Sequence, residues 1–159
     1  MNLFLRLHSV STRFDCQLHA WGTTVFGMAL RLFIAWQFLK AGLVKVNNWE
    51  GTLSLFREEY TIPVIPPELA AVMGASGELV FSTLLIVGLF SRPAAFGLFV
   101  VNAVAVFSYP QLWTFECPAA INDHFYWGIC LLTLVVVGPG KIALDQWLKK
   151  MNGSPQVQQ

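Results

Sequence analysis

Two charged side chains stand isolated in apolar stretches: Arg31 in GMALRLFIAWQFL and Glu78 in MGASGELVFSTLLIVGL. A guanidinium fork that meets a carboxylate makes two charge-assisted hydrogen bonds. Asn102, the one strongly polar residue of a third apolar stretch, brings an amide that can satisfy donors or acceptors the pair leaves over. Cys130 and Thr133 offer weaker polar groups from a fourth. With no water to help, such a layer has to satisfy itself internally. It then either latches helices together or binds the polar head of a lipophilic ligand, with Arg31 donating to a carbonyl and Glu78 exchanging protons. Arg31 and Glu78 are the candidate catalytic residues. Lys45, Trp49, Tyr60, Asn102 and His124 are the candidate ligand-binding residues, Trp49 and Tyr60 as a roof and Lys45 and His124 as steps outward.

Other chemistries are poorly supplied. The three cysteines (Cys16, Cys117, Cys130) and three histidines (His8, His19, His124) are scattered, so no zinc-type spacing or disulfide framework emerges. No haem or metal is expected within the chain, and a quinone is the cofactor the polar layer would suit. A net charge of +1 argues against a nucleic-acid surface.

The elements that carry these residues read as membrane crossings. The composition is 55% hydrophobic and 12% charged, against about 25% charged in ordinary soluble domains. The expected fold is all-α: a membrane-embedded four-helix bundle with a short interfacial amphipathic helix between helices 1 and 2. Residues 1–20 form an N-terminal surface segment, either an amphipathic helix or a loose tail, with no cleavable signal pattern. Residues 21–140 form the transmembrane domain, with helices about 21–42, 69–90, 94–109 and 122–137. Residues 141–159 form a basic amphipathic segment and a disordered tail. Trp49, Leu53, Phe56 and Tyr60 share one helical stripe, Asn48 suits an N-cap, and Pro66 and Pro67 suit the first turn of the next helix. Arg6, Arg13, Arg92, Lys141, Lys149 and Lys150 fall on one side of the bundle, against Lys40, Lys45 and Arg57 on the other. The positive-inside bias then puts both termini in the cytoplasm.

RLFIAWQFLKAGLVKV, GELVFSTLLIVGLFSRPAA and GPGKIALDQWL together resemble the DoxX family of small bacterial integral membrane proteins. The resemblance rests on Arg31, Gly42 and Lys45; Glu78, Gly88, Leu89 and Arg92; and Gly138, Pro139, Gly140 and Asp145, and covers about residues 28–148. It implies a multi-pass protein of the bacterial cytoplasmic (inner) membrane tied to redox metabolism. Name-giving members of that family are small subunits of a thiosulfate:quinone oxidoreductase. Other relatives accompany oxidative-stress proteins or peptide-modifying enzymes. The expected function is therefore a membrane subunit that binds a quinone-like ligand at the Arg31–Glu78 layer and acts with a partner oxidoreductase. Any enzyme activity would be quinone-linked and need that partner. The alternative is a non-catalytic anchor or assembly factor for a stress- or metal-related peptide-modifying system, and a small transporter or proton path is a third reading. Membrane lipid is an expected partner, a redox or peptide-modifying protein another, and a homo-oligomer stays open.

Overall fold

Residues 2–47 contain no proline, and nothing in them breaks a helix. In the computed structural model, which describes residues 2–114 and 118–152, they form one α-helix, α1 (Asn2–Asn47). At 1.5 Å per residue its 46 residues span about 70 Å, more than twice the hydrocarbon thickness of about 30 Å. The segment 1–20, expected as a separate surface piece, instead continues α1 from Asn2 without a break. The stretch apolar enough to cross a membrane is Trp21–Asn47, which takes Lys45 into the crossing.

Asn48 turns the chain. Its side chain accepts the Gly51 amide (3.2 Å), capping α2 (Trp49–Glu58), and the Thr52 hydroxyl donates to the carbonyls of Lys45 and Asn48, at 3.0 Å each. The corner between α1 and α2 is thereby tied on both sides. Pro67 opens α3 (Pro67–Val87), which ends at Gly88 in the left-handed conformation (φ 79°). After Phe90 follow α4 (Ser91–Ser108), a 3₁₀ turn (Pro110–Trp113), α5 (Pro118–Val137) and the short α6 (Leu144–Met151). No strand occurs among the described residues. The loop residues Glu116 and Cys117, the side chains of Arg6, Arg13, Cys16 and His19, and the tail 153–159 lie outside the described residues.

Among the described residues four helices, α1, α3, α4 and α5, are long and apolar enough to cross a membrane. The molecule is a four-helix transmembrane bundle. Its core joins Ile34 and Phe38 of α1 to Leu85 of α3, Leu98 of α4 and Leu131 of α5, all buried. Bulky side chains such as Phe33, Val80, Phe96 and Ile129 face outward, as a lipid-solvated surface requires. A smaller cluster seats α2 on the bundle, with Phe56 packed on Ala70 and Ala71 and flanked by Trp49 and Tyr60.

The antiparallel register of α1 against α3 is set by two close approaches. A Cβ on Gly42 would come within 2.9 Å of the Leu79 side chain and 3.2 Å of the Glu78 Cβ, so glycine lets the two backbones meet there. Toward the other end, Gly88 lies against the Arg31 guanidinium. Gly42 thus sits opposite Glu78, and Arg31 opposite Gly88.

Candidate ligand-binding site

That register corrects the expected central pair. Arg31 lies eleven residues before Gly42, the glycine that faces Glu78, a separation of about 16 Å along the helix. The carboxylate is met instead by Lys45, whose Nζ donates to both Glu78 oxygens at 2.7 Å. The pair is largely enclosed, with side-chain exposures of 17% and 9%. In such surroundings it is an ion pair whose partners depend on each other. Removing either strands a charge, the costly outcome for buried pairs.

Above the pair lies a cavity of about 190 Å³ between α3, α4 and the return from α2. Lys45 and Glu78 are its charged lining groups, and Phe56, Tyr60, Met73 and Val104 supply apolar wall and roof. Met73, Val100 and Val104 are also exposed on the outer surface, so the cavity reaches the lipid face between α3 and α4. Tyr60 is stacked between Phe56 (4.4 Å) and Tyr109 (5.1 Å). The Tyr109 hydroxyl donates to Glu59 at 2.7 Å, and the Thr61 amide donates to the Ser108 carbonyl at 2.7 Å. These contacts pin the roof to the end of α4. Burial first, then the charge of Glu78 and, less, those of the Tyr109 phenol and Glu59, raise the Tyr60 phenol to about 12. It is a neutral hydrogen-bond donor at physiological pH.

Asn102 and His124 form a second polar pair, between α4 and α5. The Asn102 amide donates to the His124 carbonyl at 2.9 Å, turning its own oxygen to the ring Nδ1 at 2.7 Å. The neutral imidazole therefore carries its proton on Nδ1 and keeps the lone pair on Nε2. Charges that reach this ring are Asp123 of its own helix and Lys45 of α1. Trp49, at the start of α2, packs against the Phe56–Ala70–Ala71 cluster and does not line the cavity. Thr133 is satisfied by the Ile129 carbonyl of its own turn, and Cys130 packs against the core; neither joins the pair. Phe56, Met73 and Tyr109 are site residues that the sequence did not single out. Their signal was there for Phe56, which shares the α2 stripe with Tyr60.

Arg31 has a different setting. Its Nη2 donates to the Ile142 carbonyl at 3.0 Å, 111 residues away in sequence, and Asp145 is the acid whose field reaches it. The Asp145 carboxylate accepts the amides of Phe90 (2.7 Å) and Ser91 (2.8 Å), while its own amide donates to the Gly88 carbonyl at 2.9 Å. A Cβ on Gly140 would meet the Thr24 backbone at 2.9 Å. The segment after α5 is thus folded back across α1 and the α3–α4 turn as a clasp. The residues that carried the sequence resemblance divide between two ends of the bundle. Arg31, Gly88, Arg92, Gly138, Gly140 and Asp145 build the clasp, and Gly42, Lys45 and Glu78 build the ion pair.

Among the described residues no three His, Cys, Asp or Glu side chains come together as a metal site. No solved structure matches the chain significantly. A Haemophilus influenzae protein, described as uncharacterized, is 31% identical over 140 residues, covering 86% of this chain and 92% of the relative. The DoxX family model matches residues 26–111, a stretch that contains Arg31, the Gly42 approach, the ion pair, the α2 roof and the Gly88 turn. Over half the chain, the two glycines and three charges that set the bundle's register lie within that match, and this multi-pass helical membrane protein belongs to the DoxX family.

Proposed function

We propose that the protein binds the head group of a quinone-like lipophilic compound at the Lys45–Glu78 pair, as the membrane subunit of a redox system that acts with a partner oxidoreductase. The observation that carries this reading is a small apolar cavity open to the lipid face with one ion pair at its base. At about 190 Å³ it is smaller than the ~300–1,000 Å³ sites that enclose whole drug-sized ligands. It suits a single substituted ring whose tail stays in lipid. The residues fit such a head: the Lys45 ammonium and the Tyr60 phenol donate to ring oxygens, Glu78 holds or releases a proton beside them, and Phe56 with the valines of α4 excludes water. A bound quinone would supply two-electron acceptance coupled to proton uptake, and the partner would supply the electrons. In the same reading the protein resides in a bacterial inner membrane with both termini cytoplasmic. Lys141, Lys149, Lys150 and Arg92 then lie inside, and α2 lies on the outer face.

The test is extraction. Protein isolated with its native lipid in polymer-bounded discs should carry about one quinone per chain by solvent extraction and chromatography, and Glu78→Gln should lose it. Wild-type protein with no quinone above the bulk lipid ratio would end the proposal. A non-catalytic anchor is the second reading, favoured by α6, whose Trp147, Leu148 and Met151 are exposed beside Lys149 and Lys150. Stoichiometric recovery of one partner protein from native membranes, lost on deleting residues 144–151 while quinone is absent throughout, would favour it.

A further inference from the structure

Lys45 and Tyr60 are walls of two cavities at once. Besides the lipid-side cavity, a groove of about 570 Å³ runs between α1 and α2, bounded by Lys40, Ala41, Val44, Asn48 and Leu55, and it too ends on Lys45 and Tyr60. The two differ in what surrounds them. The lipid-side cavity is bordered by Met73, Val100 and Val104. The groove has Lys40, Asn48 and Gly51 exposed beside Val44 among its lining residues, and the two polar side chains of these lie at the end of the α1 crossing, where the membrane meets water. Its floor is the corner tied by the Thr52 hydroxyl to the Lys45 and Asn48 carbonyls.

We propose that the α1–α2 groove is an aqueous access to the buried ion pair, so that Lys45 and Glu78 exchange protons with water from one side and meet a lipophilic ligand from the other. The ligand half rests on the quinone reading above; the access does not. The step is a proton transfer without electron movement. The Lys45 ammonium passes its proton to Glu78, which it already contacts. A hydronium ion in the groove then reprotonates the amine and is left as water, so the pair gains one proton that Glu78 can pass on to a basic ligand oxygen. The Tyr60 ring stands between the two spaces, so water need not enter the lipid-side cavity.

Charged-reagent labelling of single-cysteine variants in phospholipid nanodiscs, with Cys16, Cys117 and Cys130 replaced by serine, tests the access directly. Ala41→Cys and Leu55→Cys on the groove should react with a methanethiosulfonate bearing a quaternary ammonium at least tenfold faster than Met73→Cys and Val104→Cys on the lipid side. Equal rates, or faster reaction at Met73→Cys, would overturn the proposal. In a second arm, the Lys45→Cys thiol should react with the same reagent and be slowed at least tenfold when Ala41→Phe fills the groove. Slowing by Val101→Phe on the opposite cavity, with no effect of Ala41→Phe, would place the route on the lipid side and overturn it as well. Decylubiquinone retention by the otherwise native chain is measured separately. Its absence with groove labelling intact removes the quinone reading and leaves the access standing.

Discussion

Lys45 Nζ stands 2.7 Å from both oxygens of Glu78, joining the last turns of α1 to the middle of α3. Such pairs stabilise little against an apolar core, yet breaking one by removing a single partner costs about 3–5 kcal/mol. Lys45→Met and Glu78→Leu should each lower the thermal midpoint in detergent markedly. The double substitution should recover most of the loss. A double variant as unstable as the sum of the two singles would show that the two charges do not interact.

Arg31 belongs to the clasp and Glu78 to the cavity, so their substitutions should separate two readouts. Arg31→Gln loses the contact to the Ile142 carbonyl and should reduce stability by about 1.5–3 kcal/mol, the scale of a charged hydrogen bond, while decylubiquinone affinity changes less than twofold. Glu78→Gln should weaken decylubiquinone binding at least tenfold. Titration of decylubiquinone in nanodiscs, run beside thermal unfolding, checks both. A tenfold affinity loss in Arg31→Gln would place the guanidinium back in the ligand site.

Which charges would lie isolated in hydrocarbon was legible in the residues; which of them meet was not. The tight turn around Gly88 fixes α4 against α3, because a short turn leaves no slack. The connection from Asn48 to Pro66 allows α1 to slide against α3 by several turns, and centring each apolar run put Arg31 and Glu78 at one height. The deciding signal was Gly42, where small size permits the close approach, together with Lys45, which the residue pattern offered as a step outward and not as the partner of Glu78. The α2 cap at Asn48 could be read because capping is local. The Tyr109–Glu59 bond and the Asp145 caps span 50 or more residues, and no spacing rule reaches that far.

Asp145 ties down the start of α4 from another helix, accepting the amides of Phe90, just before α4, and of Ser91, its first residue, with one carboxylate. The orphan amides of a helix start and the positive end of its dipole both favour this, and loss of a cap costs about 0.5–2 kcal/mol. Asp145→Ala should lower stability by that amount and free residues 138–152, seen as faster cleavage by trypsin at Lys141. Asp145→Asn, which keeps one acceptor oxygen, should fall between. Unchanged cleavage in Asp145→Ala would mean that the remaining contacts, Arg31 to the Ile142 carbonyl and the residue-145 amide to the Gly88 carbonyl among them, hold the clasp without the carboxylate.

Tyr60 titrates in an accessible window. Its phenol lies at about 12, above the ordinary 10.0, because burial and then the Glu78 charge disfavour the tyrosinate. A group whose folded value is raised holds its proton more tightly in the native state. Its contribution is therefore complete below pH 10 and lost as pH rises toward 12. Native stability should fall across that interval in the wild type, and Tyr60→Phe should flatten the fall. In absorbance titration at the tyrosinate band, the step removed by Tyr60→Phe should be centred near 12. A removed step centred near 10 would mean that the phenol meets water freely and that the roof over the ion pair is open.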